Sequence, residues 1–401
     1  MSAFLERMKF VKIKDIFAFV LFIVSLPIGF VLRLYRPHIW LVCEEKQEAR
    51  DNGYFFFKYL RENHKEVDAV YAIDKKSPDA YKVLNIGHTI SYGTLIHWIY
   101  YIAAEYNISS QKGGKPNAAI CFVLEVFGIW KNKRVFLQHG VIINNVEWLY
   151  YNVSKIGRFI CSTKPEYEFI KENFGYPQEN LILAGLSRWD DLHDYKVKHN
   201  RILIMPTWRE WLGRISSDTR KVETGESFTD TLYYKKWNAF INSEKLADLS
   251  KKYNLEIIFF PHRNMQKYLK FFSVKNKHVK IASWEEYDVH DLLKTSEMIV
   301  TDYSSVFFDM VYMRKPVIFY QFDLQKFRKH HYKSGYFDYA NNSFGKSYTE
   351  ASIVLCELER IIKNKYIPSK EYIKDHNNIF PFYDDNNNER IYEMIQSWSD
   401  K

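Results

Sequence analysis

From residue 37 onward, uninterrupted apolar runs of strand length alternate with stretches whose apolar positions recur at helical spacing. In the first half the runs are IWLVCEE (39–45), AVYAID (69–74), RVFLQHG (134–140), RFICST (158–163) and LILAG (181–185). The second half repeats the theme with RILIMPTW (201–208), LEIIFFPH (255–262), VKIAS (279–283), MIVTDY (298–303) and PVIFYQ (316–321). Among the helical stretches, PEYEFIKENFG has Pro165 in its first turn and Gly175 just past its end, the usual start and stop signals. Continuously apolar strands separated by helices predict parallel sheets covered on both faces. A polar stretch, DDLHDYKVKHNR (190–201), interrupts the pattern. The expected organisation is therefore an α/β chain with two doubly wound domains, at 37–192 and 200–365. A segment 1–36 precedes them and a helical tail 366–401 follows.

The first segment has a different character. IFAFVLFIVSLPIGFVLRL, Ile16 to Leu34, carries no charge until Arg33. Its length just suffices to cross a bilayer, which takes about 20 residues. Arg7, Lys9, Lys12 and Lys14 precede it, Arg33 and Arg36 close it, and no small-residue cleavage site follows. Pro27 and Gly29 interrupt it, so the expectation is a re-entrant or interfacial anchor broken at Pro27.

Composition narrows the partners. The chain has 401 residues, enough for two cores, and 57 Lys and Arg against 48 Asp and Glu give a formal charge of +9. Such a surplus suits nucleic acid, anionic lipid or phosphate-bearing substrates. The basic residues are spread along the chain with no nucleic-acid module, which favours an anionic membrane surface and phosphorylated substrates. Cys43, Cys121, Cys161 and Cys356 are scattered among mostly apolar neighbours with no C-x-x-C spacing, as expected of buried thiols in a reducing compartment.

The chemistry-bearing residues cluster where apolar runs end. LQHG, MPTWRE, FPHRN and VTDYSS each close a candidate strand. In open α/β sheets ligands bind beyond the carboxyl ends of strands. Ser304 and Ser305 are expected to open the helix SVFFDMVYM, presenting hydroxyls and free N–H groups to an anion, with Asp302 and Tyr303 shaping the turn. Arg209, just past Trp208, has the fork geometry for phosphate oxygens. His139, before Gly140, is a candidate general base. His262, Arg263 and Asn264 repeat the arrangement in the second half.

HG, PTWR, PHRN and VTDYSSVFFDMVYMRKPVIFY, followed by GYFDY, together resemble the CDP-glycerol glycerophosphotransferase family of teichoic-acid and capsule synthesis, over roughly residues 130–345. The resemblance implies a GT-B-like pair of Rossmann-like domains facing a cleft, and monotopic binding to the cytoplasmic face of a bacterial membrane. It implies an N-terminal acceptor domain, in which His139 deprotonates the acceptor hydroxyl, and a C-terminal nucleotide-donor domain. In the latter His262 would lie by the donor pyrophosphate, helped by Asn264, Arg263, Thr207 and Arg209. Thr301, Asp302, Ser304 and Ser305 match the loop and helix start that hold the nucleotide-linked phosphates. LSRWD (186–190) resembles a family stretch in which Arg188 and Asp190 recur, as acceptor-side or structural residues along with Gly140. Val141 departs from the family, which usually has threonine after His-Gly with a lysine nearby.

The reaction so implied is attack by an acceptor hydroxyl on the β-phosphorus of CDP-glycerol, releasing CMP and forming a phosphodiester. The partners are a nucleotide-activated polyol phosphate, a lipid-linked saccharide acceptor and an anionic membrane surface. No metal or cofactor is built in, although a dissociable Mg2+ on the pyrophosphate fits the chemistry. KHHY (329–332) and YDDNNNER (383–390) lack the ligand sets of zinc and calcium sites. The length favours a primer-type enzyme over one that tracks a long polymer. The same pattern fits CDP-ribitol as donor, a GT-B glycosyltransferase using a nucleotide sugar, or a non-catalytic membrane-associated scaffold.

Overall fold

The computed structural model describes residues 13–194, 196–213 and 227–398. Arg7, Lys9 and Lys12 of the basic N-terminal flank lie outside them. The chain forms two compact units. One comprises the residues up to Val141, Glu147–Asp190 and the residues from Asp384 on; the other comprises Ile142–Val146 and Asp191–Tyr383.

The first unit opens with α1 (Ile13–Tyr35) and carries seven parallel strands. These are β1 (Ile39–Cys43), β2 (Asp68–Ile73), β3 (His88–Ser91), β4 (Tyr106–Ser109), β5 (Lys133–Phe136), β6 (Arg158–Cys161) and β7 (Leu181–Leu183). Their order is β3-β2-β1-β4-β5-β6-β7. The chain winds outward from β1 and then reverses, so the topological switch lies between β1 and β4. All five residues of β1 are buried, because helices cover both faces of the sheet. Three of those helices bear on the site: α2 (Asn52–Asn63), α3 (Leu95–Ala103) and α4 (Ala118–Val126). The helix Lys164–Asn173 begins and ends as its sequence signals predict, with Gly175 at φ 71° beyond it.

The second unit repeats the winding with β8 (Arg201–Met205), β9 (Glu256–Phe259), β10 (Val279–Ile281), β11 (Met298–Thr301), β12 (Val317–Tyr320) and β13 (Gly345–Tyr348). The order is β10-β9-β8-β11-β12-β13, all parallel, with the switch between β8 and β11. A short helix, α5 (Phe307–Tyr312), follows β11. Trp237, Phe240, Phe259 and Tyr320 pack edge to face or tilted in its core.

Three features differ from the sequence expectation. The strands β3, β4 and β13 have no apolar run: HTIS, YNIS and GKSY are polar or glycine-containing and take their places through neighbouring strands. The stretch after 365 divides between the units. Helix Lys370–Ile379 lies in the second, where the Tyr372 hydroxyl donates to the Lys315 carbonyl at 2.8 Å. The last helix, α6 (Asn387–Gln396), lies in the first, buried through Ile391 and Ile395. Cys356 is exposed, while Cys43, Cys121 and Cys161 are buried thiols as expected.

The anchor is also corrected, since α1 runs through Pro27 without a break. A proline inside a helix forfeits one backbone hydrogen bond, and lateral packing compensates. Phe22 meets the rings of Trp98 and Trp130 at 5.5 and 5.9 Å, and Ser25 is fully buried. Asp15 near one end accepts a hydrogen bond from Asn117 at 2.9 Å. Arg36 at the other end pairs with Asp68 and donates to the Tyr100 hydroxyl at 2.8 Å. Gly29 permits this close seating, because a Cβ there would stand 2.6 Å from Cγ2 of Ile102. Gly29→Leu is expected to cost about 1–3 kcal/mol through overpacking, read as a lowered urea midpoint with an unchanged m-value.

Candidate active site

His139 follows β5 on a turn that its neighbour bends. Gln138 is fully buried and takes a left-handed backbone with φ 65°, a strained conformation for a residue with a side chain. Its side-chain amide donates to the Ile160 carbonyl, and its own carbonyl accepts from Asn52 Nδ2 at 2.8 Å. The His139 side chain is 68% exposed, yet its Nδ1 edge is closed by Asp51, whose Oδ2 lies 2.5 Å away. Asp51 stands at the start of α2 and is buried. Its Oδ1 accepts from Nη1 of Arg188 at 3.0 Å, and the same nitrogen donates to the His139 carbonyl at 2.9 Å. Arg188 is therefore a buried support beneath His139.

Two buried carboxyls here have their acidities pushed apart. Glu44, at the end of β1, accepts from the backbone N–H groups of Arg50, Asp51 and Tyr54 at 3.1, 3.1 and 2.6 Å. Burial, and then the neighbouring Asp51 charge, push it up to about 8. Burial alone would raise Asp51 too, but the His139 and Arg188 charges hold it below the ordinary aspartate value. Asp51 is thus the anion that faces the imidazole. For His139, removal of water from its Nδ1 edge pulls the pKa down, and the Asp51 charge and hydrogen bond more than offset this, leaving it raised. With Nδ1–H donated to a carboxylate, Nε2 is the nitrogen left as base. Gln111, in the loop after β4, brings its amide to 3.4 Å from His139 Nδ1.

The second unit places the remaining residues at the carboxyl ends of β8, β9, β11 and β12. Arg209 is fully buried and its five N–H groups are committed within the protein. Nε and Nη2 fork onto Asp323 at 2.9 and 3.0 Å, Nη2 also meets Asp302 at 2.8 Å, and Nη1 donates to the Thr207 carbonyl at 2.8 Å. Its guanidinium lies 4.8 Å from the ring centre of Tyr303, whose hydroxyl donates to Asp323 at 3.0 Å. Asp302 Oδ1 also accepts from the N–H groups of Thr207 and Tyr303. The hydroxyl of buried Thr301 donates to the Met205 carbonyl at 2.7 Å. Arg209, Asp302 and Thr301 therefore do not present polar groups to a ligand; they tie three strand ends together, and the expected phosphate fork is turned inward. Thr207 is also buried, its hydroxyl 3.4 Å from the Tyr303 N–H.

Above this knot His262, Arg263, Asn264, Ser304 and Ser305 are half-buried. His262 Nδ1 accepts from the Asn264 N–H at 3.2 Å, so a neutral ring carries its proton on Nε2. The ring stacks over Trp208 at 6.3 Å, and the Arg263 guanidinium lies 4.5 Å from the Trp284 ring centre. The helix expected to open at Ser304 and Ser305 begins at Phe307 and spans six residues. Residues 304–306 form a turn in which Ser304 Oγ accepts from the Val306 N–H at 3.4 Å. So short a helix supplies little dipole to an anion.

Asp190 is structural. Its carboxylate accepts from the backbone and side-chain amides of both Asn387 and Asn388, pinning α6 to the first unit. Gly140 is a half-buried bend residue beside His139. Asp51, Gln111, Glu44 and Asp323 escaped the sequence reading. Each follows a strand adjoining a switch point or its neighbour, so strand order was the signal that would have found them. Among the described residues no group of three or more His, Cys, Asp or Glu could hold a metal ion.

Each of the two parallel αβ units thus has a histidine past the end of a strand near its switch point and contains a buried Asp–Arg pair. The chain belongs to the CDP-glycerol:poly(glycerophosphate) glycerophosphotransferase family, whose model matches residues 26–397. It is 31% identical to the minor teichoic acid biosynthesis protein GgaB of Bacillus subtilis, over 90% of this chain and 40% of that protein. A teichoic acid poly(glycerol phosphate) polymerase of Bacillus spizizenii is 24% identical, over 82% of each. The structure of the wall teichoic acid polymerase TagF superposes with a TM-score of 0.66 at 15% identity, covering 96% of this chain and 98% of that one. The chain thus spans well under half of GgaB but nearly all of the TagF structure.

Arg209→Met should destabilise the fold by about 3–5 kcal/mol, because it strands two buried carboxylates. Denaturant unfolding checks this, and lysine at 209 is expected to rescue little, since a point charge cannot fork onto both partners.

Proposed function

We propose that the protein transfers glycerol phosphate from CDP-glycerol to a hydroxyl of a lipid-linked saccharide in teichoic-acid-type polymer synthesis. The observation that carries this reading, beyond family membership, is the His139–Asp51 pair, which leaves Nε2 as a base on an exposed ring. The acceptor oxygen attacks the β-phosphorus as its proton passes to Nε2. The bond from that phosphorus to the bridging oxygen breaks, and CMP leaves. His262, with its proton on Nε2, suits hydrogen-bond donation to a pyrophosphate oxygen, with Arg263, Asn264 and the Ser304–Ser305 turn as further donor-side groups. Asp51 and Arg188 position His139, and Arg209, Asp302 and Thr301 hold the donor loops. Catalysis of this kind rests on positioning and charge stabilisation more than on covalent chemistry.

We place the protein on the cytoplasmic face of the membrane, where nucleotide-activated donors are made, with α1 in the interface. The helix is long and apolar enough to cross a bilayer, with a hydropathy of 2.5 over Asp15–Tyr35. Its docking along α3 and its outward Ile16, Phe17, Val20 and Val24 instead suit a helix lying in the plane of the interface.

The test is mass analysis of the product formed from CDP-glycerol and a lipid-linked disaccharide, with CDP-ribitol and nucleotide sugars as competing donors. A product heavier by one or more glycerol phosphate units supports the reading, and transfer of a sugar overturns it. His139→Ala should lower kcat by about 10²–10⁴-fold, the contribution of a positioned base. The base must be unprotonated, so the rate rises with pH through the raised pKa of His139. Asp51→Asn removes the charge that raises it and should move that acid limb to lower pH, in the pH profile and in an NMR titration of the imidazole.

A further inference from the structure

The transfer chemistry uses His139 and its supports but leaves an apolar groove of about 450 Å³ on the same unit unexplained. α1 forms one wall through Phe22 and Phe30, α4 forms the other through Val123 and Leu124, and Trp130 also lines it. Every lining side chain is apolar or aromatic. The volume falls within the range of small-molecule sites, about 300–1,000 Å³. A groove without polar lining holds water poorly.

Two observations identify its occupant. The groove opens onto the outer face of α1, because Phe19, Ile23, Phe30 and Ile129 line it and are also 44%, 48%, 50% and 63% exposed. They continue the larger apolar surface of that helix, the kind of patch that marks a lipid or protein contact. The groove is also tied to the histidine through α4. The loop that enters α4 carries Gln111, 3.4 Å from His139, and Lys112, whose ammonium lies 5.9 Å from the ring centre of Phe122 on α4 and 5.2 Å from that of Trp148. An apolar slot on one side of α4, a cation over a ring of the same helix and a base beside its entry loop match a molecule with a long hydrocarbon chain, an anionic linkage and a hydroxyl-bearing head.

We propose that this groove binds the hydrocarbon chain of the phosphate-linked lipid that carries the acceptor hydroxyl, with Lys112 facing its phosphate. What the head group undergoes at His139 rests on the function proposed above; occupancy of the groove does not. Binding there would give the enzyme selectivity for long-chain acceptors, since each buried methylene strengthens binding about fourfold.

The full-length protein is mixed with phosphatidylglycerol–phosphatidylcholine vesicles containing a long-chain alkyl phosphate with a diazirine near its chain end. After irradiation the labelled peptides are mapped. The expected result is labelling within 19–30 and 118–130, competed by unlabelled alkyl phosphate and reduced about tenfold by Val123→Trp, which fills the groove. Phe30→Ser, half-exposed at the mouth, should give a severalfold loss and serves if the tryptophan disturbs folding. Labelling confined to the outer face of α1 and indifferent to both variants overturns the proposal. So does equal labelling by a diazirine phospholipid that alkyl phosphate does not displace, or photo-crosslinking of the groove to another part of this chain or to a second copy. A second assay compares kcat/KM for long-chain and short-chain acceptors, and the ratio should fall about tenfold in Val123→Trp. If no acceptor is elongated from CDP-glycerol, the transferase reading fails while the labelling pattern still decides the groove.

Discussion

A buried guanidinium locked onto buried carboxylate underlies the chemistry-bearing loops of each unit. In the first, Arg188 and Asp51 lie beneath His139; in the second, Arg209, Asp302 and Asp323 lie beneath the loops that carry Trp208 and the Ser304 turn. Removing such charges from water is costly, and the pairs persist only because each is closed by hydrogen bonds on every side. In return they fix backbone that no regular element holds. The Arg209 knot joins the ends of β8, β11 and β12, whose loops would otherwise diverge as the sheet twists. The Arg188 pair joins the loop after β7 to the start of α2 and to the turn after β5. A parallel sheet presents its ligand-binding loops at one edge, and these ion pairs keep that edge in register.

Hydrogen bonds at the same ring nitrogen leave the two histidines with opposite free edges. At His139, Nδ1 meets a carboxylate and must be a donor, so Nε2 is left with its lone pair. At His262, Nδ1 accepts a backbone N–H, so Nε2 carries the proton. In the function proposed above, one ring takes a proton and the other gives a hydrogen bond to an anion. Both arrangements come from helix-start geometry: Asp51 stands just before α2, and His262 caps the short helix Arg263–Phe271. Had Asp51 been protonated, His139 would lose both its orientation and its raised pKa. Beside it, burial and then the Asp51 charge push Glu44 up to about 8.

Much of this was legible from residue order and some was not, for identifiable reasons. The ten strands with continuous apolar runs were found because burial on both faces writes itself directly into composition. β3, β4 and β13 were not, because HTIS, YNIS and GKSY owe their conformation to neighbouring strands. His139 and His262 stood out as histidines at strand ends. Arg209 was misread in the direction of ligand binding, since an arginine past a strand looks the same in sequence whether its fork meets a phosphate or two aspartates. Its two carboxylate partners, Asp302 and Asp323, lie 93 and 114 residues further along the chain. Asp51 was obscured by polar surroundings, where acidic residues are common and only a buried partner distinguishes one. The signals for Pro27 were read as a break because backbone rules are local, whereas packing against α3 is not.

That last misreading bears on the interfacial placement proposed for α1. Hydropathy counts apolar residues without asking which face they occupy, and α1 has two faces with different partners. One face packs Phe22, Ser25 and Gly29 onto α3 and its surroundings; the other leaves Ile16, Phe17, Val20, Val24 and Val31 about half exposed or more. Polar pins at both ends, Asp15 to Asn117 and Arg36 to Asp68, belong to the same folded body. A helix so fastened could cross a bilayer only by drawing those polar partners into hydrocarbon, or by breaking the contacts that its glycine was placed to make. The opposite geometry requires neither, since a helix lying along the interface keeps its inner contacts and buries its outer face in lipid. The proline then costs little, because the inner packing already holds the turn that its missing N–H would have closed.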